Sequence, residues 1–166
     1  MEKLIEYLEK KEPRYPEKYR NLIEKLSRKG KYDETSGPAN VEQLEKGKAF
    51  ATFYECYIYA LIIGIRSNNR LDIGNGNSNK FLNFGSWKPE QVKKYIIMSL
   101  LALCEFEFNE IEELDDEQAN EKANELLKLM EQYAHGGFEI IHSKMKDDPE
   151  FFEEILNVIF FLKELK

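Results

Sequence analysis

The sequence predicts an all-α fold, a compact bundle of five to seven helices around two central apolar helices at about 40–65 and 89–105. Three observations carry that expectation. Apolar residues recur at helical spacing through most of the chain. Two long segments, AFATFYECYIYALIIGI and the run from Val92 to Cys104, are so apolar that other helices must wrap them. No alternating β-branched run occurs outside short stretches at 65–73 and 104–108, and nothing repeats at a solenoid period.

The elements follow in chain order. Leu4, Ile5 and Leu8 form a first helical stripe, which Pro13 and Pro16 end. Pro16 opens a second helix with Tyr19, Leu22, Ile23 and Leu26 on its apolar face and Gly30 as its stop. Residues 1–30 are read as a peripheral helical pair of a single domain covering 1–166, joined by a linker at 31–39 (KYDETSGPA). Asn40 and Gln43 cap the third helix in capping-box style; it starts polar and turns apolar from Ala49. A long polar loop covers about 66–88, and Pro89 opens the fourth helix. Asp115 or Asp116 caps a fifth, striped by Ala119, Ala123, Leu126, Leu127, Met130 and Tyr133 and ended by Gly136-Gly137. A short helix spans 138–145, and Asp148-Pro149 starts the last one through Phe151, Phe152, Ile155, Leu156, Ile159 and Phe160.

A chain of 166 residues can bury a core without metals or disulfides, and eleven Phe and nine Tyr supply apolar surface against disorder. The net charge of −7 is unevenly spread: residues 105–166 carry six Lys against eighteen Asp/Glu, whereas residues 49–104 carry six Lys/Arg against three acids. That balance argues against broad coating of nucleic acid. It leaves room for a local contact from Arg66, Arg70, Lys80, Lys93 and Lys94, and for docking of the acidic part on a basic partner. Cys56 and Cys104 are too few for a disulfide framework and read as buried thiols of a reducing cytoplasm. The charged N-terminus has no signal-peptide core, and the run 49–65 contains Glu55 and falls short of a membrane span.

No segment carries a catalytic signature. Gly74-Asn-Gly-Asn-Ser-Asn-Lys80 invites a phosphate reading, but it lacks both the phosphate-loop spacing and the third glycine of a dinucleotide fingerprint. Gly, Asn and Ser fill such loops for backbone reasons alone. Arg66 and Arg70 suit the carbonyl end of a helix, and equally a phosphate or a partner's carboxylates. The acids of 105–117 are a solvated face unless they converge on a metal or meet a basic partner. His135 and His142 lie seven apart, but Gly136-Gly137 is expected to break their register, and neither has a zinc or triad partner in sequence. Tyr54, Tyr57 and Tyr59 read as core aromatics. Trp87 reads as a lid over the core end, or as a contact residue if exposed.

Two segments carry a resemblance. YIYALIIGIRSNNRLDI (57–73) joins an apolar helix with Ala and Gly to a basic polar turn and a short apolar return. EQYAHGGFEIIHSKM (131–145) is built on Tyr-Ala-x-Gly-Gly and a following helix. Together they resemble the small helical accessory proteins that accompany bacterial DNA phosphorothioation and related phage-defence gene clusters. The resemblance implies a cytoplasmic bacterial protein working on or beside DNA within a multi-protein system, and it carries no catalytic residue.

The expected function is therefore a non-enzymatic accessory or adaptor subunit with a protein partner, no cofactor and no membrane association. Its contact residues would be Arg66, Arg70, Lys80, Trp87, Lys93 and Lys94. A direct nucleic-acid binder using the same basic edge is the alternative, and a metal-dependent nuclease built on the acidic run the third reading.

Overall fold

A computed structural model describes residues 1–27, 48–74, 76–104 and 114–165. Six α-helices lie among them: α1 (Glu2–Glu9), α2 (Arg20–Leu26), α3 (Phe53–Arg66), α4 (Glu90–Leu103), α5 (Asp116–Asp147) and α6 (Ile155–Glu164). The all-α expectation holds. Its one addition is a sheet of two short strands, β1 (Arg14–Pro16) and β2 (Ser78–Lys80). Such three-residue strands leave no readable alternation in sequence. The described residues group into two compact units, Met1–Tyr15 with Ser78–Gln132 and Pro16–Asn77 with Tyr133–Lys166.

In the first unit α1 buries Leu4 and Leu8, and α4 buries Ile96, Ile97, Leu100 and Leu101. The start of α5 adds Ala119, Ala123, Leu126 and Met130, spaced as one helical face. Phe84 and Trp87 pack edge-on at 4.9 Å on a one-turn 3₁₀ helix, Phe84–Ser86, whose first amide donates to the Lys11 carbonyl. The α5 start is a reciprocal cap: Asp115 accepts from the Gln118 amide at 2.8 Å, and the Gln118 side chain accepts from the Asp115 amide at 3.1 Å. α4 is less enclosed than its composition suggests, for Tyr95, Met98 and Leu103 are exposed.

In the second unit α3 is the core rod, burying Cys56, Tyr57, Tyr59, Ala60, Leu61, Ile63 and Gly64. The Cys56 thiol is wholly enclosed, and burial pushes its pKa up to about 12. The Tyr59 hydroxyl donates to the Val158 carbonyl of α6 at 2.8 Å, so this aromatic is both packed and satisfied. α2 adds Leu22, Ile23 and Leu26, and Phe152 inserts between Tyr59 and Phe161.

Several boundaries differ from expectation. The third helix begins at Phe53 rather than near 40, because Thr52 accepts from the Glu55 amide at 3.2 Å while Glu55 accepts from the Ala51 amide. The Asn40 cap, the Gly30 stop and the 31–39 linker lie outside the described residues. The predicted break at Gly136-Gly137 is absent: α5 runs unbroken through 32 residues to Asp147. Asp148-Pro149 leads into a 3₁₀ turn, Phe151–Glu153, and α6 starts only at Ile155. The polar loop at 66–88 also contains β2 and the buried Phe84 and Trp87.

Candidate functional site

The second unit brings together the two segments singled out in sequence. α3 ends in a Schellman turn: the Asn69 amide donates to Gly64 at 2.9 Å and the Asn68 amide to Ile65 at 3.1 Å. Asn68 takes φ +46°, a conformation that asparagine tolerates better than most residues. The turn is then fastened to α5. Asn69 donates through Nδ2 to the Gly136 carbonyl at 3.0 Å, and the Tyr133 hydroxyl donates to the Asn68 side chain at 3.2 Å.

Glycines explain why α5 continues past 136–137 and how it reaches α3. A Cβ at Gly64 would stand 2.7 Å from the carbonyl carbon of Tyr133. One at Gly136 would stand 2.7 Å from that of Asn69, and one at Gly137 would meet the Ala60 carbonyl group. These are backbone atoms, which cannot rotate away. Three glycines thus let two helices and the turn touch main chain to main chain, and that contact outweighs the roughly 1 kcal/mol helix penalty of each.

The continuous helix also sets His135, Glu139 and His142 at positions i, i+4 and i+7, and Tyr19 meets all three. Its hydroxyl donates to Glu139, which also pairs with Lys18 at 3.2 Å, and its ring lies 5.6 Å from His135 and 6.1 Å from His142. His135 is 7 % exposed; its Nδ1 lies 3.1 Å from the Leu71 carbonyl, while Nε2 has no hydrogen-bond partner among the described residues. A carbonyl only accepts, so Nδ1 carries a proton, while Nε2 meets no acceptor among the described residues that would favour a second one. Burial, then the Lys18 charge, lowers the His135 pKa below its ordinary 6.5. The Tyr19 hydroxyl, with Lys18, holds the Glu139 carboxyl below its usual range, and burial raises the Tyr19 phenol well above its own.

The six candidate contact residues divide between the units. Arg66 and Arg70 belong to the second, both exposed on the locked turn. Arg66 donates to the Leu165 carbonyl at 2.9 Å, and the Arg70 guanidinium sits 5.8 Å from the Tyr133 ring centre. Lys80, Trp87, Lys93 and Lys94 belong to the first. Lys80 pairs with Glu12 at 2.8 Å and Lys94 is exposed. Trp87 is 1 % exposed and donates to the Leu82 carbonyl, so it occupies the core of its unit. Lys93 is 5 % exposed between Glu9 at 2.6 Å and Glu90 at 3.1 Å. Burial works to lower its pKa, but the two carboxylates outweigh burial and raise it. Of the acidic run, Asp115 caps α5 and Asp116 pairs with Lys3 at 3.0 Å, while 105–113 lie outside the described residues.

The Tyr19–Glu139 bond and the His135 contact to Leu71 were not anticipated. The only signal was His-x₃-Glu-x₂-His spacing, which has meaning only if the helix crosses Gly136-Gly137.

The model of one protein family, described as DNA sulphur modification system-associated protein 4, matches residues 39–164. No curated protein and no solved structure matches the chain. Both segments of the glycine-locked junction lie inside the matched range.

Proposed function

We propose a role for this chain, which belongs to the DNA sulphur modification system-associated protein 4 family: it is a non-enzymatic accessory subunit that docks a protein of the same system through the turn Arg66–Asp72. The observation that carries this reading is the lock on that turn. A Schellman motif fixes it from α3, and Asn68, Asn69 and Gly136 tie it to α5, so its exposed side chains stand on a backbone already ordered. Preorganised surface elements bind with less ordering cost, and planar guanidinium groups suit a partner's carboxylates.

Direct nucleic-acid binding through the wider basic edge has less support. Lys80 and Lys93 are each neutralised by carboxylates within their own unit, which weakens a phosphate contact.

Two experiments separate the readings. Co-expression with the other proteins of the system, followed by purification on this chain, should recover a complex that Arg66→Ala/Arg70→Ala loses while its melting curve is unchanged. A complex indifferent to both substitutions would remove the turn from the interface. Titration with duplex DNA at low and high salt tests the alternative, which demands affinity falling steeply with salt.

A further inference from the structure

α6 offers a second candidate surface in the second unit, built from residues other than those of the arginine turn, which meets its carboxyl end through Arg66 and the Leu165 carbonyl. Its residues ILNVIFFLKE are apolar at almost every position, yet only Val158 is buried among those whose side chains are described. Leu156, Ile159 and Phe160 are 57 %, 46 % and 52 % exposed. They fall at i, i+3 and i+4, which is one helical face. Single exposed apolar residues need no explanation, but a contiguous stripe of three large ones marks an interaction site.

The surrounding charge says what the stripe takes. Asp147, Asp148, Glu150, Glu153 and Glu154 are all exposed in the segment leading into α6, where Lys146 is the one cation of 146–154. None of these five carboxylates is in an ion pair among the described residues. The segment is held against α6, for Phe151 and Phe152 pack on Phe161 at 5.6 and 5.5 Å and Asn157 donates to the Phe151 carbonyl at 2.9 Å. Glu153 and Glu154 suit the amino end of α6. Asp147 and Asp148 do not suit their place, since they stand at the carboxyl end of α5, where the helix field favours cations. Of the two cations in that last turn, Lys144 sits over the Phe151 ring at 4.3 Å and Lys146 is exposed, and neither pairs with the two aspartates. The fold thus carries carboxylates that its own electrostatics oppose, beside an uncovered apolar face.

We infer that the α6 stripe and its acidic collar form a docking surface for a basic amphipathic segment of another protein, apolar side chains on Leu156, Ile159 and Phe160 and Lys or Arg on the collar. An anionic lipid surface would be repelled by the collar.

The test uses the full chain and two defined peptides, an amphipathic helix of Leu and Lys and its counterpart with Glu replacing Lys. Binding is read by fluorescence anisotropy at low and high salt. The Leu–Lys peptide should bind and weaken with salt, and the Leu–Glu peptide should not. Ile159→Asp/Phe160→Asp should cost more than about tenfold in affinity with an unchanged circular dichroism spectrum, and Asp147→Asn/Asp148→Asn should cut affinity mainly at low salt. Equal binding of both peptides, or affinity untouched by the α6 substitutions, overturns the proposal. So does a concentration-dependent dimer in sedimentation that Phe160→Asp dissolves, which would make the stripe a self-contact. Arg66 and Arg70 are untouched throughout, so failure here leaves the arginine-turn reading standing.

Discussion

The two units hold their helices by opposite means. In the second, α3 meets the later part of α5 where side chains are missing: Gly64, Gly136 and Gly137 place carbonyl groups where a Cβ would be. In the first, Lys93 of α4 reaches across a buried spot to Glu9 of α1, with Glu90 as a second partner. A backbone contact leaves no rotamer to adjust. An ion pair with one buried end and two partly hydrated ends can shift, exchange partners or admit water. The glycine joint should therefore fail sharply when altered and the ion-pair joint by degrees.

Substitution at the glycine joint is the strongest way to break this contrast. Gly137→Ala should destabilise the second unit by about 3 kcal/mol or more in urea unfolding, because the clash with Ala60 exceeds the ~1 kcal/mol that alanine gains in a helix. Gly76→Ala is the control. A Cβ there meets nothing within 4 Å, so it should be neutral or stabilise by up to about 1 kcal/mol. A tolerated Gly137→Ala would show that the two helices can separate.

The ion-pair joint should give a smaller and graded loss. Lys93→Ala is expected to cost about 1–3 kcal/mol, less than a fully buried pair, since Glu9 and Glu90 stay partly in water. Lys93→Met keeps the packed stem and should cost about 1 kcal/mol or less in the same assay. If methionine is as damaging as alanine, charge rather than packing holds α1 to α4.

Each unit also has a capped helix start, and equal losses there would show that the joints, not the caps, distinguish the units. Asp115→Ala in the first and Thr52→Ala in the second should each cost about 1 kcal/mol by urea midpoint.

The smallest expected effect is a slope with pH. The folded-state pKa of His135 lies below its unfolded 6.5, so the unfolded chain takes up the proton first. Its contribution is complete above 6.5 and is lost as pH falls from there toward the folded value. Urea unfolding across that window should show stability declining in the native chain and a flatter profile in His135→Leu. Identical profiles would mean that His135 already ionises freely in the fold.

Much of this was legible in the sequence, and the misses share a cause. The stripes of α1, α2 and α3, the Pro89 start of α4 and the Asp115 cap came from short-range patterns that no distant contact overrode. Gly136-Gly137 misled because glycine weakens a helix by an amount that close packing can outweigh, and the packing partner lies some seventy residues away, at Ala60 and Asn69. Thr52-x-x-Glu55 was a readable capping box, hidden by a second start signal at Asn40 that extended the same helix backwards. For the contact residues, spacing placed Arg66 correctly at the end of α3, whereas Arg70 lies past the cap and the turn. Spacing could not tell that Lys93 faces Glu9 rather than water, because that depends on where α1 comes to rest.

The two cysteines fall one to each unit, and this gives the protein an internal clock and its reference. Cys56 lies in the core rod of the second unit, fully enclosed and with a thiol held near pKa 12, so a thiol reagent reaches it only when that unit opens. Cys104 caps α4 in the first unit and is partly accessible. The labelling rate at Cys56 would time the opening of the second unit in the unmodified chain, with Cys104 as the reference for a thiol that the reagent reaches in the folded state.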